Sequence, residues 1–141
     1  MRVKYSALGA ATALASVIAM GAVAVPAQAD TPTSRIAAVS PSISPAAPYK
    51  YYPDGTPSQC AYENLCLSVW DYTKNQWKVY SLKTCNKYSL SNFEGDGFFD
   101  NNQTKGTVAT FYGSGGNVLR KSTAREQSAI GWSPVWSVRN C

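Results

Sequence analysis

The chain has 141 residues and combines 13 Lys and Arg with 8 Asp and Glu, 4 Cys and no His. The absence of imidazole excludes a Ser-His-Asp triad, a Cys-His pair and a histidine-based zinc site. The formal charge of +5 at pH 7 is scattered along the chain instead of forming a basic stripe. Nucleic-acid binding is therefore not expected.

Residues 1–29 have the pattern of a secretory signal peptide. Arg2 and Lys4 precede an apolar run, and the run ends in an A-x-A cleavage site between Ala29 and Asp30. The alternative is an uncleaved membrane anchor, which the weakly hydrophobic Ala and Gly content disfavours. Cleavage would leave 11 Lys and Arg against 8 Asp and Glu, a net charge of +3. We expect a secreted, extracellular protein with no membrane contact after cleavage.

Residues 30–59 form a proline-rich leader in this interpretation. Proline fixes its own φ and has no N–H, so the stretch is not expected to support a helix or an internal strand. An extended, disordered linker is predicted. Its aromatic segment Tyr49–Tyr52 could instead fold back onto the domain that follows. Six prolines interrupt the leader: Pro32, Pro41, Pro45, Pro48, Pro53 and Pro57.

Residues 60–141 are predicted to form one domain, near the size at which a hydrophobic core alone is marginal. Four cysteines allow three disulfide connectivities. The closeness of Cys60 and Cys66 in the sequence favours a bridge between them, which leaves Cys85 for Cys141. Exported thiols should oxidise, and oxidised sulfur is neither a nucleophile nor a metal ligand.

The alternation of apolar residues in this domain predicts an all-β fold. The only helix candidate is a turn over residues 122–128, where a weak capping pattern occurs. Trp77 and Trp136 fall inside alternating segments and are predicted to be in the core, whereas Trp70 and Trp132 are expected to be exposed. The predicted strands are 65–70, 76–82, 107–112, 117–120 and 135–139.

The two halves of the domain resemble each other. An aromatic strand end passes through a loop into a return strand at residues 69–79 and again at residues 111–120. A repeat of about 40 residues with this organisation is typical of two four-stranded Greek keys packed face to face.

Several short motifs resemble those of secreted bacterial βγ-crystallin-fold proteins, many of which belong to a family of metalloproteinase inhibitors. The resemblance covers Cys66 to Cys141. It implies a βγ-crystallin-like sandwich of two Greek-key motifs and, by extension, inhibition of a secreted zinc protease. The shared features are Cys60 with Cys66, the segment Val69–Tyr72, the segment Asn101–Thr104 and the terminal Trp136–Arg139.

Members of this fold family often bind calcium through loops rich in Asn, Asp and Ser. The segment 100–105 retains part of that pattern, but Lys105 replaces the final Ser, and the segment 132–137 retains only the last Ser. A turn held by Asn side chains is the alternative to a weak calcium site near Asp100. No metal or cofactor site is therefore predicted.

Glu94, Asp96 and Asp100 could suggest glycoside hydrolysis by paired carboxylates. The glycines between them indicate a turn instead of a cleft, so no catalytic residue and no enzymatic activity are predicted.

The expected function is that of a monomeric proteinase inhibitor that would occlude the cleft of an extracellular protease. A rigid exposed loop is required, because rigidity reduces the entropy lost on binding. Candidate loops are residues 71–76, 113–117 and 120–128. Two alternatives remain, namely an antimicrobial or killer-toxin-like protein and a cell-envelope or carbohydrate-binding module that uses exposed Trp and Tyr.

Overall fold

The computed structural model describes residues 37–141, and within this range the chain forms ten β-strands and no helix. Accordingly, no helix in this range is long and apolar enough to cross a membrane. The predicted signal peptide and its cleavage site between Ala29 and Asp30 lie outside the described residues. The strands are β1 (Ser42–Ser44), β2 (Tyr49–Tyr52), β3 (Asn64–Asp71), β4 (Gln76–Leu82), β5 (Lys87–Ser91), β6 (Asp96–Asn102), β7 (Val108–Tyr112), β8 (Val118–Thr123), β9 (Glu126–Gly131) and β10 (Ser137–Arg139).

The strands form two five-stranded antiparallel sheets. Sheet I has the order β1-β5-β10-β7-β8, and sheet II has the order β2-β4-β3-β6-β9. The hairpins β3–β4 and β7–β8 are the two segments that resemble each other in sequence, and they lie in different sheets. β6 returns beside β3, and β10 returns beside β7. β5 and β9 each cross to the sheet that does not contain their neighbours in the chain.

The best-predicted elements are β3 and β4, because their larger apolar side chains recur at every second position. Residues 76–82 form β4 with the predicted bounds. Leu65 and Leu67 of β3 pair with Leu82 and Tyr80 of β4, and all four are buried on the inner face of sheet II.

The core lies between the inner faces of the two sheets. Phe99 of sheet II and Phe111 of sheet I contact each other across it, with ring centroids 5.0 Å apart. Val138 of β10 is also fully buried. Because such side chains contribute about 2 kcal/mol or more each when removed from water, this interface is the main source of stability.

Trp132 and Trp136 exchange their predicted environments. Trp132 is 0% exposed, whereas Trp136 is 59% exposed. The indole Nε1 of Trp132 donates to the carbonyl oxygen of Ser68 at 2.9 Å. Space for the ring comes from Gly97 of β6, where an added Cβ would lie 2.2 Å from that indole nitrogen. The prediction for Trp132 was wrong because strand alternation does not reveal a glycine that admits a side chain from outside the strand. The prediction for Trp136 was wrong because β10 begins at Ser137, so Trp136 precedes the strand.

Part of the proline-rich leader is structured, contrary to the prediction of disorder over residues 30–59. β1 and β2 both lie in it, so the compact unit already includes residues well before Cys60. Both strands are at sheet edges, pairing with β5 and β4 respectively. An edge strand tolerates nearby prolines because one of its sides needs no hydrogen-bond donors.

Residues 122–128 are not helical. They comprise the end of β8, a two-residue link and the start of β9. Arg125 in the link has φ of 76°, a left-handed conformation that turns the chain from sheet I into sheet II. Ser122 is buried, and its carbonyl oxygen accepts a hydrogen bond from Asn101 Nδ2 at 2.9 Å. Tertiary packing therefore overrides the weak capping signal.

Two disulfides connect the four cysteines, in the pairing that the sequence favoured. One joins Cys60 to Cys66, six residues apart, and the other joins Cys85 to Cys141, 56 residues apart. Such bridges are typical of proteins that fold in an oxidising, extracellular compartment. The long bridge fixes the end of the chain to the segment between β4 and β5.

Candidate functional site

The most distinctive surface feature is a segment that crosses the outer face of sheet II. We call residues 53–61 the strap. At its start, Thr56 N donates to Pro53 O at 3.2 Å, and Gly55 closes this turn with φ of 73°. The indole Nε1 of Trp77, on the sheet beneath, donates to Asp54 Oδ1 at 3.1 Å. The turn is thus held against β4.

The other end of the strap is fixed more firmly. The Cys60–Cys66 disulfide ties it to the centre of sheet II, since Cys66 lies in β3 between β4 and β6. Asn102 Nδ2 also donates to Cys60 O at 2.9 Å, and Asn64 Nδ2 donates to Ala61 O at 3.2 Å. Residues 56–61 contain no turn, bend or regular element, and residues 53–59 are all exposed. The strap is therefore an unpaired, exposed segment anchored at both ends.

The three candidate loops predicted from the sequence differ from the strap because their backbones form turns or paired strands. In loop 71–76, Asn75 N donates to Asp71 O at 2.8 Å. In loop 113–117, Gly116 N donates to Gly113 O at 3.0 Å. Residues 120–128 are mostly strand, in β8 and β9. All three regions form tight turns or paired strands, which makes them poorer candidates for an extended recognition segment than the strap.

A groove runs along β6 between the strap and the outer face of sheet II. Three adjoining cavities of about 450, 310 and 620 Å³ form it. Ser58 of the strap borders all three cavities. Phe98 and Ser68 border the first two, and Asp100 and Gln127 border the last two. The shared residues show that the three cavities lie side by side along β6.

Aromatic side chains occupy one end of this groove. Phe98 is 51% exposed, and its ring centroid lies 5.5 Å from that of Trp77 in an edge-to-face arrangement. Trp77 in turn contacts Trp70 at 5.2 Å. Trp70 and Trp77 are both half-buried, so Trp77 is not the core residue that the sequence predicted. The three rings form a connected apolar surface on the outside of the sheet.

Polar side chains occupy the rest of the groove. Gln127 Nε2 of β9 donates to Asp100 Oδ2 of β6 at 2.6 Å. Asp96 is on the same strand as Asp100, and four residues of strand separate their backbones by about 13 Å. Paired glycosidase carboxylates need about 5 to 9 Å. The backbone spacing of Asp96 and Asp100 therefore exceeds the range required of such a pair.

The segment predicted as a possible calcium loop lies at the end of β6. Asn101 is fully buried and accepts a hydrogen bond from Gln103 Nε2 at 2.9 Å. Its own amide donates to Ser122, as described above. Across residues 37–141, no group of three or more His, Cys, Asp or Glu side chains is placed to hold a metal ion. These contacts match the alternative of a segment held by Asn side-chain hydrogen bonds.

A buried lysine is an unexpected feature of sheet II. Lys78 lies on the inner side of β4, is only 6% exposed, and donates from Nζ to Pro41 O at 2.8 Å and to Ser40 Oγ at 3.2 Å. Its ammonium also lies 4.4 Å from the centroid of the Tyr49 ring. Burial lowers the pKa of Lys78, and the Asp71 carboxylate opposes that change. These contacts attach the segments on either side of β1 to the sandwich.

Asp71 completes this buried network. Burial opposes its ionisation, but hydrogen bonds donated by Ser40, Thr73 and Tyr51 together lower its pKa to about 2. The Ser40 hydroxyl donates to Asp71 Oδ2 at 2.5 Å. Ser40 Oγ also accepts from Lys78 Nζ, so the hydroxyl lies between an ammonium donor and a carboxylate acceptor. The arrangement links the segment before β1 to β3 and β4.

Sequence reasoning missed the strap and the groove. Most of the strap was assigned to the leader, although its attachment to Cys60 was a usable signal, because a short disulfide restrains the residues before it. Phe98 and Gln127 lie in β6 and β9, two strands whose short apolar runs gave no signal.

Comparisons of the chain with protein-family models, with curated proteins and with solved structures give no match.

Proposed function

We propose that the fold is a βγ-crystallin-like sandwich of two Greek keys. In a Greek key the fourth strand returns beside the first, in the spatial order 4-1-2-3. The orders β6-β3-β4 and β10-β7-β8 supply positions 4, 1 and 2 of two such motifs. β5 and β9 are the third strands of the two motifs in chain order, and each lies in the sheet of the other motif, beside β10 and β6 respectively. This reciprocal exchange supports a pair of interlocked Greek keys.

We further propose that the protein is an exported proteinase inhibitor that blocks an extracellular metalloprotease. The observation that carries this proposal is the strap, whose residues 53–59 are exposed, whose residues 56–61 belong to no strand, and which is anchored at both ends. A protease cleft accepts an extended chain. A segment anchored at both ends loses less conformational entropy on binding than a free one, so more of the contact energy appears as affinity.

In this proposal, the anchoring of the strap would also slow the release of the protein after cleavage by the protease. If the protease cut the strap, the Cys60–Cys66 disulfide would hold one new end, and the pairing of Tyr52 with Trp77 would hold the other. Both fragments would stay at high effective concentration in the cleft, which favours a long-lived complex.

The test is inhibition of thermolysin and of a serine protease, measured with a fluorogenic peptide and the purified secreted protein. We expect inhibition of thermolysin at micromolar protein. The variant Pro57→Gly adds backbone freedom to the strap and should weaken inhibition about tenfold. The matched control is Ser114→Gly, which changes an exposed residue in the loop between β7 and β8 and should leave inhibition unchanged.

Absence of inhibition of both enzymes at micromolar protein would overturn the proposal. Equal weakening by Pro57→Gly and Ser114→Gly would also contradict the role of the strap, because loop 113–117 lies far from it in the sheet order.

A further inference from the structure

The groove beneath the strap combines an aromatic platform with hydrogen-bonding side chains. Phe98 exposes half of its surface on a sheet whose inner face is already filled by the core. The indole nitrogen of Trp77 is engaged by Asp54, so the ring that supports Phe98 is fixed in position. An exposed, fixed aromatic surface of this kind favours contact with a flat apolar ligand face.

Asp100 and Gln127 provide the polar part of the groove. Their mutual hydrogen bond uses one carboxylate oxygen and one amide hydrogen. A carboxylate has two oxygens and about four acceptor positions, and an amide offers a further donor and an acceptor oxygen. The pair therefore retains both donor and acceptor capacity, and its geometry is already fixed. Ligands that present both O–H donors and hydroxyl acceptors match this capacity.

The charges of the groove disfavour a polyanion. Its lining includes the carboxylates of Asp54 and Asp100, and Arg125 contributes the only cationic side chain among the residues that border it. A chain of phosphates or uronic acids would bring negative charge beside these carboxylates, which costs free energy. A neutral ligand avoids that repulsion.

We propose that this groove binds a neutral β-linked glycan chain. The apolar face of one sugar ring would stack on Phe98 beside Trp77, and hydroxyl groups of a neighbouring ring would donate to Asp100 and accept from Gln127. The groove follows β6, in which the outward side chains 98, 100 and 102 span about 13 Å. That length accommodates a few consecutive rings of a straight chain.

This inference is independent of protease inhibition. It rests on the sheet side chains Phe98, Asp100 and Gln127, whereas the proposed inhibition rests on the backbone of the strap. Either proposal can fail while the other holds.

The test is calorimetric titration of the purified secreted protein with chitohexaose and with cellohexaose, supported by retention on insoluble chitin and cellulose. We expect binding of at least one of the two probes and no binding of heparin, the anionic comparison. Phe98→Ala should weaken binding tenfold or more, and Asp100→Asn severalfold. The matched control is Trp136→Ala, which removes another exposed aromatic side chain, outside the groove.

Thermal unfolding of each variant shows whether it has retained its fold. A Phe98→Ala protein with unchanged unfolding temperature and lost glycan binding supports the proposal. No binding of either oligosaccharide or polymer would overturn it, and so would equal loss in Trp136→Ala. Heparin binding that exceeds chitohexaose binding would also overturn it. So would undiminished glycan binding by the double variant Phe98→Ala with Asp100→Ala.

Discussion

The two sheets share one core but differ on their outer faces. Sheet II presents aromatic and acidic side chains such as Trp77, Phe98 and Asp100 beneath the strap. On the outer face of sheet I, Thr110 and Ser137 lie on neighbouring strands and are buried, and the Lys87 ammonium lies 4.6 Å from the centroid of the Tyr112 ring. The inner faces are equally apolar, so they account for folding. This difference is the reason for placing the proposed recognition surface on the outer face of sheet II.

The largest expected effect is a difference in stability between substitutions of the buried Trp132 and the exposed Trp136. Trp132→Ala should lower the free energy of unfolding by about 3 to 5 kcal/mol, because it removes a fully buried ring and leaves Ser68 O without its donor. Trp136→Ala should change it by less than about 0.5 kcal/mol, since the side chain is mostly exposed. Urea unfolding followed by circular dichroism measures both. Similar losses in the two variants would show that the assignment of inner and outer positions is incorrect.

The next largest effect is a difference between the two disulfides in what their removal does to stability and to protease inhibition. Removing the long bridge by Cys85→Ser with Cys141→Ser should cost about 4 kcal/mol, and removing the short one by Cys60→Ser with Cys66→Ser about 2 kcal/mol, as expected for loop-closure entropy. Only the second change should release the strap. We therefore expect the less destabilised variant to lose more protease inhibition, measured under conditions in which both variants are folded. A greater loss of inhibition in the variant that lacks the long bridge would contradict the role of the strap.

A smaller effect concerns acid stability. The pKa of Asp71 is about 2 in the folded protein and 3.8 as the ordinary value. A lowered folded pKa contributes stability above the unfolded value, and that contribution is lost as the pH falls from about 4 through 2. The loss should be about 2 kcal/mol, and Asp71→Asn should remove this part of the pH dependence. The check is urea unfolding of both proteins between pH 6 and 2. Parallel curves for the two would contradict the role of Asp71.

The sequence was informative where side chains alternate clearly. β4 was predicted with its observed bounds because Tyr80 and Leu82 alternate with Ser81. β5 and β6 were missed because each has only two or three buried residues, and the Ser, Asn and Gly residues in these segments weaken the apolar alternation. The inward lysine, Lys78, lies on the face that the pattern did not assign to the core. Its environment depends on Pro41, 37 residues away, which local periodicity does not report.

The candidate site was less predictable than the fold. Its residues come from the strap, β6 and β9, and these segments become neighbours only through sheet pairing and the Cys60–Cys66 bridge. The disulfide pairing could be predicted, since separation along the chain favours it. The position of the strap could not, because it depends on Trp77 and Asn102, whose contacts are long-range.

Amide chemical-shift mapping of the ¹⁵N-labelled secreted protein tests most directly whether the strap face is the recognition surface. The protein would be titrated with thermolysin and, separately, with chitohexaose. The account predicts shifts in the strap, β6 and β9 and unchanged amides in β5, β10 and β7. Shifts confined to sheet I, or no shift with either ligand, would contradict it.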